Sequence, residues 1–527
     1  MRRVLAFLTI WCLGDVALAD PGSIRLQPTP EGVRADYRLA VPTSRFVFDA
    51  PLSAEVRISA IEDGVVFAAD AVTSDRPMTA FSLLVRPDRV RVDATYPVVS
   101  RLGEGWMIHV PSLLGETGPL PSEVVIDPGP GWTLTAGPGG KPTDGFVYVG
   151  PAEPNPSGGA RTVVDGAIPE WLANDARGAI ESSNAFFARG LAIAAPGEPV
   201  LLMGALPVED RSTYVGDVTP NGVINLQFAT RMLPPERDQR FTDLVVPFVA
   251  HETFHVWQGD RFRDVEGVNG RWLTEGAAEY FGLLAQAEQS PAAAVRSREV
   301  LARRLGGCLS AMDTRPQGLI RLAGRDAQST RYDCGTVSQW LADLQMKADG
   351  GLFAAWRRLL TPPEGYGVSD FRAILAGYPS RGDAGQTSLL DGSDDIRAAV
   401  IGSLKSLGAE VSIADPGPAA WANAALWPLL SSNCSGQRGI RTENGRFFLD
   451  TGDRCGLLSG DLEAVSIDGA RLDSAGESAF SAVEMACGAQ GTVSVGLMDG
   501  GDAREIRVSC SRDAPPPATA YAIARFP

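Results

Sequence analysis

The chain has 527 residues, of which 44% are hydrophobic and 21% charged, and it carries a formal net charge of −16. This composition is typical of a globular protein and excludes a disordered chain, and the length exceeds what one hydrophobic core supports, so we expect about three domains. The negative charge opposes contact with phosphate backbones and argues against nucleic acid as a partner.

The first nineteen residues have the layout of a secretory signal peptide. Arg2 and Arg3 precede the apolar run 4–13, and Ala17 and Ala19 supply the small residues of a cleavage site. A buried N-terminal strand or a membrane anchor is the alternative. The run is short for a membrane span of roughly twenty residues, and no later segment is long and apolar enough to be one. We expect an exported protein, periplasmic or secreted, with no membrane span.

Three regions with different patterns follow. Residues 20–160 contain short alternating segments broken by Gly and Pro, such as 23–26, and predict a β-sandwich domain. Residues 161–414 predict a mainly α (α+β) domain, because apolar strands such as 200–203 accompany long stretches of helical apolar spacing. Residues 415–527 begin with a Pro- and Gly-rich boundary and predict a small β-rich domain, with 492–497 as one strand. The predicted helical stretches are 169–187, 243–258, 271–287 and 329–348.

The cysteines predict disulfides. Cys12 belongs to the predicted signal peptide, and six cysteines remain. A cysteine metal site normally contains a C-x-x-C pair, and the sequence has none. An exported protein meets an oxidising environment, in which structural disulfides persist. Proximity in sequence favours the pairs Cys308–Cys334, Cys434–Cys455 and Cys487–Cys510.

The strongest chemical signal is the segment His251-Glu252-Thr253-Phe254-His255. The whole chain has three histidines, and two of them stand here four residues apart. Positions i and i+4 share one face of a helix, so the two imidazoles can bind one Zn²⁺ ion. In zinc hydrolases with this motif, the Glu at the second position contacts the attacking water and not the metal. The alternative is a pair of histidines that are hydrogen-bonded within a core.

A catalytic zinc ion normally has three protein ligands and one open position. The remaining histidine, His109, lies far upstream in the β-rich region, and we discount it. Residues 256–274 are long enough to form a turn and bring a second helix back, which makes Glu275 the predicted third ligand. Glu279 shares its helical face with Glu275 and is the predicted partner that holds a ligand imidazole by its other N–H. A solvated helix carboxylate is the alternative for Glu279.

These residues resemble the gluzincin metallopeptidases, and the glycyl aminopeptidase family in particular. The resemblance rests on residues 251–257, on Arg261 and Arg263, and on residues 272–280. It implies a β-rich N-terminal domain, a thermolysin-like catalytic domain with one zinc ion, and a C-terminal PDZ domain. It also implies that the substrate is a peptide or protein.

The same resemblance implies a role for Tyr332. Family members carry a Tyr-Asp/Glu-Lys-Gly sequence on a helix beyond the third ligand, and residues 332–335 match it except that Cys334 replaces the Lys. The phenol of that Tyr stabilises the oxyanion of the tetrahedral intermediate, which implies the same catalytic role for Tyr332. A disulfide between Cys334 and Cys308 would hold this segment in place.

The sequence departs from the family at the recognition of the substrate's free amine. Aminopeptidases of this group bind that amine with a Glu in a Gly-rich strand upstream of the zinc helix. The corresponding residues, 218–227, include no Glu or Asp. Both aminopeptidase and endopeptidase action therefore stay open.

The C-terminal region resembles bacterial PDZ domains. Residues 455–462 and 465–469 are similar to the Gly-Leu-x-x-Gly-Asp…Ile-Asn-Gly run of those domains, which bind a peptide by adding it to a sheet as a strand. The alternative is a small β-domain held by disulfides. The sequence thus predicts a zinc peptidase with Glu252 as its general base, and the alternatives are a zinc hydrolase with a non-peptide substrate and a non-catalytic peptide-binding protein.

Overall fold

The chain, described here from a computed structural model, divides into two compact units. The first comprises the described residues of Met1–Leu134 and Val147–Ala152, and the second those of Thr135–Phe146 and Glu153–Pro527. The predicted signal peptide, residues 1–19, lies outside the described residues. The structure describes residues 22–48, 58–68, 70–87, 97–115, 123–138, 141–151, 155–157, 160–206, 214–265, 268–313, 315–378, 383–435, 438–443, 445–451, 454–489, 491–499, 501–510 and 516–525.

The first unit is built from β-strands. Ile24 and Leu26 of its first strand are buried and Arg25 is exposed, which is the alternation that a strand covered on one face requires. The strands are β1 (Ser23–Thr29), β2 (Gly32–Val47), β3 (Ile58–Ala60), β4 (Val65–Ala68), β5 (Ala71–Val85), β6 (Val99–Leu102), β7 (Gly105–His109), β8 (Glu123–Ile126), β9 (Thr133–Ala136) and β10 (Phe146–Gly150). The last two residues of β9 and the first residue of β10 are assigned to the second unit. One sheet has the order β3-β5-β2-β1-β8, with β4 paired to β5, and another has the order β6-β7-β10-β9. The β-rich character predicted for this region is confirmed.

The second unit begins with a five-stranded sheet. Its strands are β11 (Asn155–Ser157), β12 (Ala160–Val164), β13 (Val200–Leu206), β14 (Tyr214–Thr219) and β15 (Val223–Ala229). They run in the order β11-β12-β13-β15-β14, in which β12, β13 and β15 are parallel and β14 is antiparallel to β15. Strand β15 is buried along its whole length, including its polar residues Asn225 and Gln227, as expected of a strand that is covered on both faces. Strands β11 and β14 are the two edge strands of the described sheet.

Helices make up most of the remaining second unit, as predicted. They are α1 (Glu170–Leu191), α2 (Gln239–Gln258), α3 (Arg271–Gln289), α4 (Pro291–Met312), α5 (Gly324–Gln345), α6 (Gly351–Leu360), α7 (Val368–Ala376), α8 (Asp383–Asp391) and α9 (Ile396–Ser406). The four helical stretches expected from apolar spacing correspond to α1, α2, α3 and α5, and the ends differ by a few residues. Trp272, Trp340 and Trp356 are fully buried where α3, α5 and α6 pack together. Because α5 already begins at Gly324, Tyr332 lies inside a helix.

The C-terminal part of the second unit combines a sheet with two helices. Its elements are β16 (Val411–Ala414), α10 (Gly417–Asn433), β17 (Arg438–Glu443), β18 (Arg446–Thr451), β19 (Gly460–Ile467), β20 (Ala470–Arg471), α11 (Gly476–Ala489), β21 (Thr492–Asp499), β22 (Asp502–Ser509) and β23 (Ala520–Ile523). The sheet order is β17-β18-β19-β21-β22, with β20 paired to β19, and β16 pairs with β23. Helix α10 packs against α11 in a common apolar core and was not predicted from the sequence. Short 3-10 helices lie at Val110–Leu113, Pro142–Asp144, Thr230–Met232, Leu319–Arg321, Lys347–Asp349 and Gly456–Leu458.

All three predicted disulfides are confirmed. The bonds are Cys308–Cys334, which joins α4 to α5, Cys434–Cys455, which follows α10, and Cys487–Cys510, which joins α11 to the end of β22. Three such bonds are compatible with an exported protein. None of the helices in the described ranges combines the length and the apolar composition that a membrane crossing requires.

Candidate metal centre

Helix α2 carries two histidines on one face. Its start is capped by Asp238, whose carboxylate accepts hydrogen bonds from two backbone N–H groups of the first turn at 2.8 and 3.0 Å. His255 is four positions after His251, and the ring centroids of the two imidazoles lie 4.8 Å apart. The helix ends at Gly259, which has a φ of 57° and donates its backbone N–H to the carbonyl of His255. The helix therefore extends through both histidines and ends directly after them.

Three side-chain atoms from α2 and α3 form a triangle of metal-ligand size. The Nε2 atoms of His251 and His255 are 3.0 Å apart, and each is 3.4 Å from Oε2 of Glu275. Two ligands of a tetrahedral zinc ion, each at about 2.0–2.1 Å from the metal, would be separated by roughly 3.3 Å. Within the described ranges, this is the one group of at least three His, Cys, Asp or Glu residues whose ligand atoms lie within 4.8 Å of one another. The donor set therefore fits a zinc ion.

The other ring nitrogen of each imidazole has its own partner. Nδ1 of His251 lies 3.2 Å from Oε2 of Glu279, the partner that the sequence predicts. Nδ1 of His255 lies 2.6 Å from Oε1 of Gln258, whose amide donates in turn to the backbone carbonyl of Thr274 at 3.0 Å. Such contacts fix the orientation of a ligand imidazole. Sequence reasoning missed Gln258, although its spacing of three residues from His255 was a usable signal.

The charges around the imidazoles favour a cation. Burial alone would lower the pKa of His251, but hydrogen bonds with Glu275 and Glu279 raise this pKa to about 10. Burial would raise the pKa of Glu275, but hydrogen bonds from the two imidazoles hold it far below its ordinary value. A proton and a metal ion would compete for the same imidazole nitrogen atoms.

Glu252 is buried beside this triangle, with 4% of its surface exposed. Its Oε2 atom has no hydrogen-bond partner among the described residues, which is a costly state for a buried carboxylate oxygen. Burial raises the pKa of Glu252 to about 7. A carboxylate with such a pKa can both accept and return a proton near neutrality.

Tyr332 reaches the same site from α5. Its ring centroid lies 5.9 Å from that of His251. Nη2 of Arg331 donates to the phenol oxygen at 3.1 Å, and the guanidinium carbon lies 4.8 Å from the ring centroid. Burial and the negative charge of Glu275 raise the pKa of Tyr332, so that the phenol keeps its proton and remains a hydrogen-bond donor. Arg331 was not predicted, because only its position next to Tyr332 points to it.

Two glycines let the helices that carry Glu275 and Tyr332 approach closely. A Cβ atom on Gly276 would lie 2.1 Å from the carbonyl carbon of Gly335, and one on Gly335 would lie 2.3 Å from the carbonyl oxygen of Trp272. The glycine that follows Glu275 and the one that ends residues 332–335 are therefore needed for the packing of α3 on α5.

The arginine pair of the sequence motif anchors the segment after α2. Nη1 of Arg261 donates to the backbone carbonyl of Leu360 at 2.5 Å, and Nη2 of Arg263 donates to Asp370 at 2.6 Å. Both arginines thus hold the connection between α2 and α3 against the segments around α6 and α7.

Two further residues bear on the predictions. His109, which we discounted, lies in the first unit with its Nδ1 atom 2.7 Å from Oγ of Ser112. Asp217 lies on the outer strand β14, directly before residues 218–227, and sequence reasoning missed it for that reason. Burial raises the pKa of Asp217, and the His255 imidazole is close enough to oppose that rise by its charge. The Asp217 carboxylate therefore lies within electrostatic range of the His255 imidazole.

Comparison with known proteins gives a fold but no sequence family. No protein-family model matches the chain, and no curated protein does either. Among solved structures, the chain is similar to the aminopeptidase N family protein from Idiomarina loihiensis, with a TM-score of 0.56 and 12% sequence identity over 96% of this chain and 98% of that chain. At this identity the likeness shows the fold alone. The chain has a multidomain fold with β-rich and helical parts that is compatible with an aminopeptidase-like fold.

Proposed function

We propose that the chain is an exported peptidase that depends on one zinc ion held by His251, His255 and Glu275. The observation that carries this proposal is the triangle of their three ligand atoms beside Glu252, whose buried Oε2 atom has no hydrogen-bond partner among the described residues. The aminopeptidase-like fold supports a peptide as substrate. When bound, the ion would lower the pKa of a water molecule and polarise the scissile carbonyl.

The protein's own groups have separate roles in this proposal. Glu252 accepts the proton of the attacking water and later delivers it to the leaving amine, a task that a pKa of about 7 suits. Tyr332 donates its O–H to the oxygen on which negative charge develops. Glu279 and Gln258 orient the two imidazoles, each through an Nδ1 atom.

The proposal includes the finer domain assignment. Residues 20–160 form a β-sandwich domain, 161–414 a thermolysin-like catalytic domain and 415–527 a PDZ-like domain that could bind a peptide. The succession of β-rich, mainly helical and mixed elements along the described chain supports this division. Helix α10 packs against α11 and is tied to the same region by Cys434–Cys455, so a peptide bound there would share the domain with this helix.

Asp217 is the residue that decides between aminopeptidase and endopeptidase action. Asp217 lies on the edge strand β14, and its carboxylate is close enough to His255 for the imidazole charge to lower its pKa. An ammonium group bound there would compensate the buried negative charge. The change Asp217→Asn should therefore raise KM for peptides with a free N-terminus and leave KM for N-acetylated peptides unchanged. An equal effect on both would assign Asp217 to the fold and favour internal cleavage.

The function is tested by incubating the mature protein with a mixed peptide library, with and without a chelator, and mapping the cuts by mass spectrometry. Chelator-sensitive loss of single N-terminal residues would establish an aminopeptidase, and chelator-sensitive internal cuts an endopeptidase. Bound zinc without any cleavage would contradict the peptidase proposal and leave a non-peptide hydrolase or a non-catalytic binding protein.

The role of Glu252 is tested by Glu252→Gln, with Glu288→Gln as a control. Glu288 lies on α3, where it is exposed and pairs with Arg189. We expect Glu252→Gln to keep one zinc ion per chain and to lose at least a hundredfold in kcat, since general-base catalysis contributes about 10²–10⁴-fold. The control should keep both zinc and turnover. Wild-type turnover in Glu252→Gln would refute the assignment.

A further inference from the structure

The line of charged side chains that starts at His251 continues beyond Glu279. Nε and Nη2 of Arg304, on α4, donate to Oε1 of Glu279 at 3.1 and 2.9 Å. Nη1 of the same guanidinium donates to Oδ1 of Asp333 at 2.8 Å. Asp333 directly follows Tyr332 on α5. One arginine therefore bridges the carboxylate that contacts the His251 imidazole and the residue next to the phenol.

These charges are only partly exposed to solvent. The side chains of Arg304, Glu279 and Asp333 are 31%, 16% and 25% exposed. Burial would raise the pKa of Glu279, but its hydrogen bond with His251 and the charge of Arg304 lower it to about 2. The planar guanidinium has donors on two sides and can hold two carboxylates at once, which an ammonium group cannot do with the same geometry.

One face of helix α4 packs against Asp333 and Cys334 of α5. Arg304, Gly307 and Cys308 lie on one helical face at spacings of three and four residues. A Cβ atom on Gly307 would lie 2.3 Å from Oδ2 of Asp333, and Cys308 is bonded to Cys334. The glycine at position 307, the disulfide and the ion pair therefore all hold α4 close to the segment that contains Tyr332.

We propose that Arg304 is a positioning residue that fixes the His251 imidazole and the Tyr332 phenol relative to each other. It acts on the imidazole through Glu279 and on the phenol through Asp333. The inference rests on the proposed function, because it assigns His251 to the metal and Tyr332 to the oxyanion. It assigns a role in that function to α4, a helix that carries none of the three proposed metal ligands.

The test compares Arg304→Met with Arg303→Met in the mature full-length protein. Arg303 directly precedes Arg304 on α4, and its side chain is exposed. Each of the two changes therefore removes one positive charge from the same helix. Zinc affinity is measured by competition with a chromophoric chelator, and kcat and KM with a peptide that the wild type cleaves. Removing an outer partner of a metal ligand typically costs 10–100-fold in metal affinity or activity. We expect such losses in zinc affinity and kcat for Arg304→Met, with KM within threefold of the wild type and no loss for Arg303→Met.

Two more variants separate positioning from a general loss of stability. Asp333→Asn should lower kcat about tenfold and leave zinc affinity within threefold, because Glu279 keeps its contact with Arg304. Arg304→Lys retains the charge without the planar fork, so both its zinc affinity and its kcat should lie between those of the wild type and Arg304→Met. If Arg304→Met does not fold, Arg304→Lys replaces it, with at least a threefold loss of zinc affinity expected.

The failure of this inference differs from the failure of the proposed function. If the wild type binds zinc and cleaves peptides while Arg304→Met matches Arg303→Met in both measurements, the inference is overturned alone. A lowered melting temperature of Arg304→Met without any change in zinc affinity or kcat would also overturn it. If the wild type binds zinc but cleaves nothing, the proposed function fails. The zinc affinities then still decide whether Arg304 acts on His251, and the absorption spectrum of the cobalt(II)-loaded protein reports any change in the ligand geometry.

Discussion

The disulfide Cys308–Cys334 should stabilise the fold and the active site, and these two effects can be separated. We expect the double change of both cysteines to Ala to destabilise α4 and α5. The bond closes a chain segment with a sequence separation of 26. In the chain-entropy treatment, such a closure lowers the entropy of the unfolded chain by an amount equivalent to about 3.5 kcal/mol.

A matched control exists in the same compact unit. Cys487–Cys510 has a sequence separation of 23, for which the same treatment gives about 3.4 kcal/mol. The two double-alanine variants should therefore lose nearly equal stability. Only Cys334 is two residues from Tyr332, so only its loss should let the phenol move. Because a misplacement of about 1 Å can cost up to a hundredfold, we expect a fall in kcat on the order of tenfold in this variant alone.

Native-state hydrogen exchange, read by mass spectrometry, gives the opening free energy of each helix without assuming two-state unfolding of so long a chain. The amides of α4 and α5 should become less protected in the Cys308/Cys334 variant, and those of α11 in the control. Unchanged protection of α5 would refute the entropic argument. Equal losses of kcat in both variants would refute the specific link to Tyr332.

Three further predictions concern metal, pH and packing. Because the pKa of His251 is raised to about 10 and the pKa of His255 is also raised, zinc should displace at least one proton. The logarithm of the zinc affinity, measured by chelator competition, should rise by at least about one per pH unit between about pH 6 and 8; a pH-independent affinity would contradict this. Burial lowers the pKa of His109 to about 4, so the unfolded chain binds the proton better and the free energy of unfolding should fall by up to ~3 kcal/mol as pH drops from about 6.5 to 4. Urea titrations of His109→Gln should lack that part of the fall, and identical pH slopes would exclude it. Gly276→Ala places a Cβ against the Gly335 backbone and should lower the free energy of unfolding by more than ~3 kcal/mol, with loss of zinc. In the control Gly402→Ala, where nothing lies within 4 Å of the added Cβ, thermal unfolding should show a gain of ~0.5–1 kcal/mol. A Gly276→Ala variant with unchanged stability would contradict the packing.

Local patterns predicted those parts of the protein that depend on local physics. The spacing of His251 and His255 follows from the helical repeat, and the return of Glu275 follows from the chain length needed for a turn. The disulfide pairs followed from proximity alone. The sequence of α10 is apolar on all sides, as Trp421, Leu426 and the alanines between them illustrate, so it has no 3.6-residue alternation for sequence reasoning to find.

Contacts between elements that no motif or sequence proximity indicates could not be predicted from the sequence. Arg304 stands on a different helix from Glu279, and Arg331 differs from any surface arginine only by where its guanidinium lies. Asp217 was missed because the expected position for an acidic residue was taken from a resemblance, and the carboxylate stands one residue before that window. Arg304 and Arg331 become recognisable only from the packing of α3, α4 and α5, and Asp217 only from the position of strand β14.

The charge balance of the site ties these residues to one chemical role. Glu275, Glu279 and Asp333 together contribute three negative charges when ionised, and Arg304 contributes one positive charge. Within this set of residues, the excess of two negative charges equals the charge of one divalent cation when both imidazoles are neutral; Asp217, whose pKa burial raises, is a further acidic group near His255. Glu252 stands outside this balance, since its Oε2 atom has no partner in the described part of the chain. Burial raises the pKa of Glu252 to about 7, although the charges of His251 and His255 oppose the rise, and a pKa near 7 is the property that a proton carrier requires.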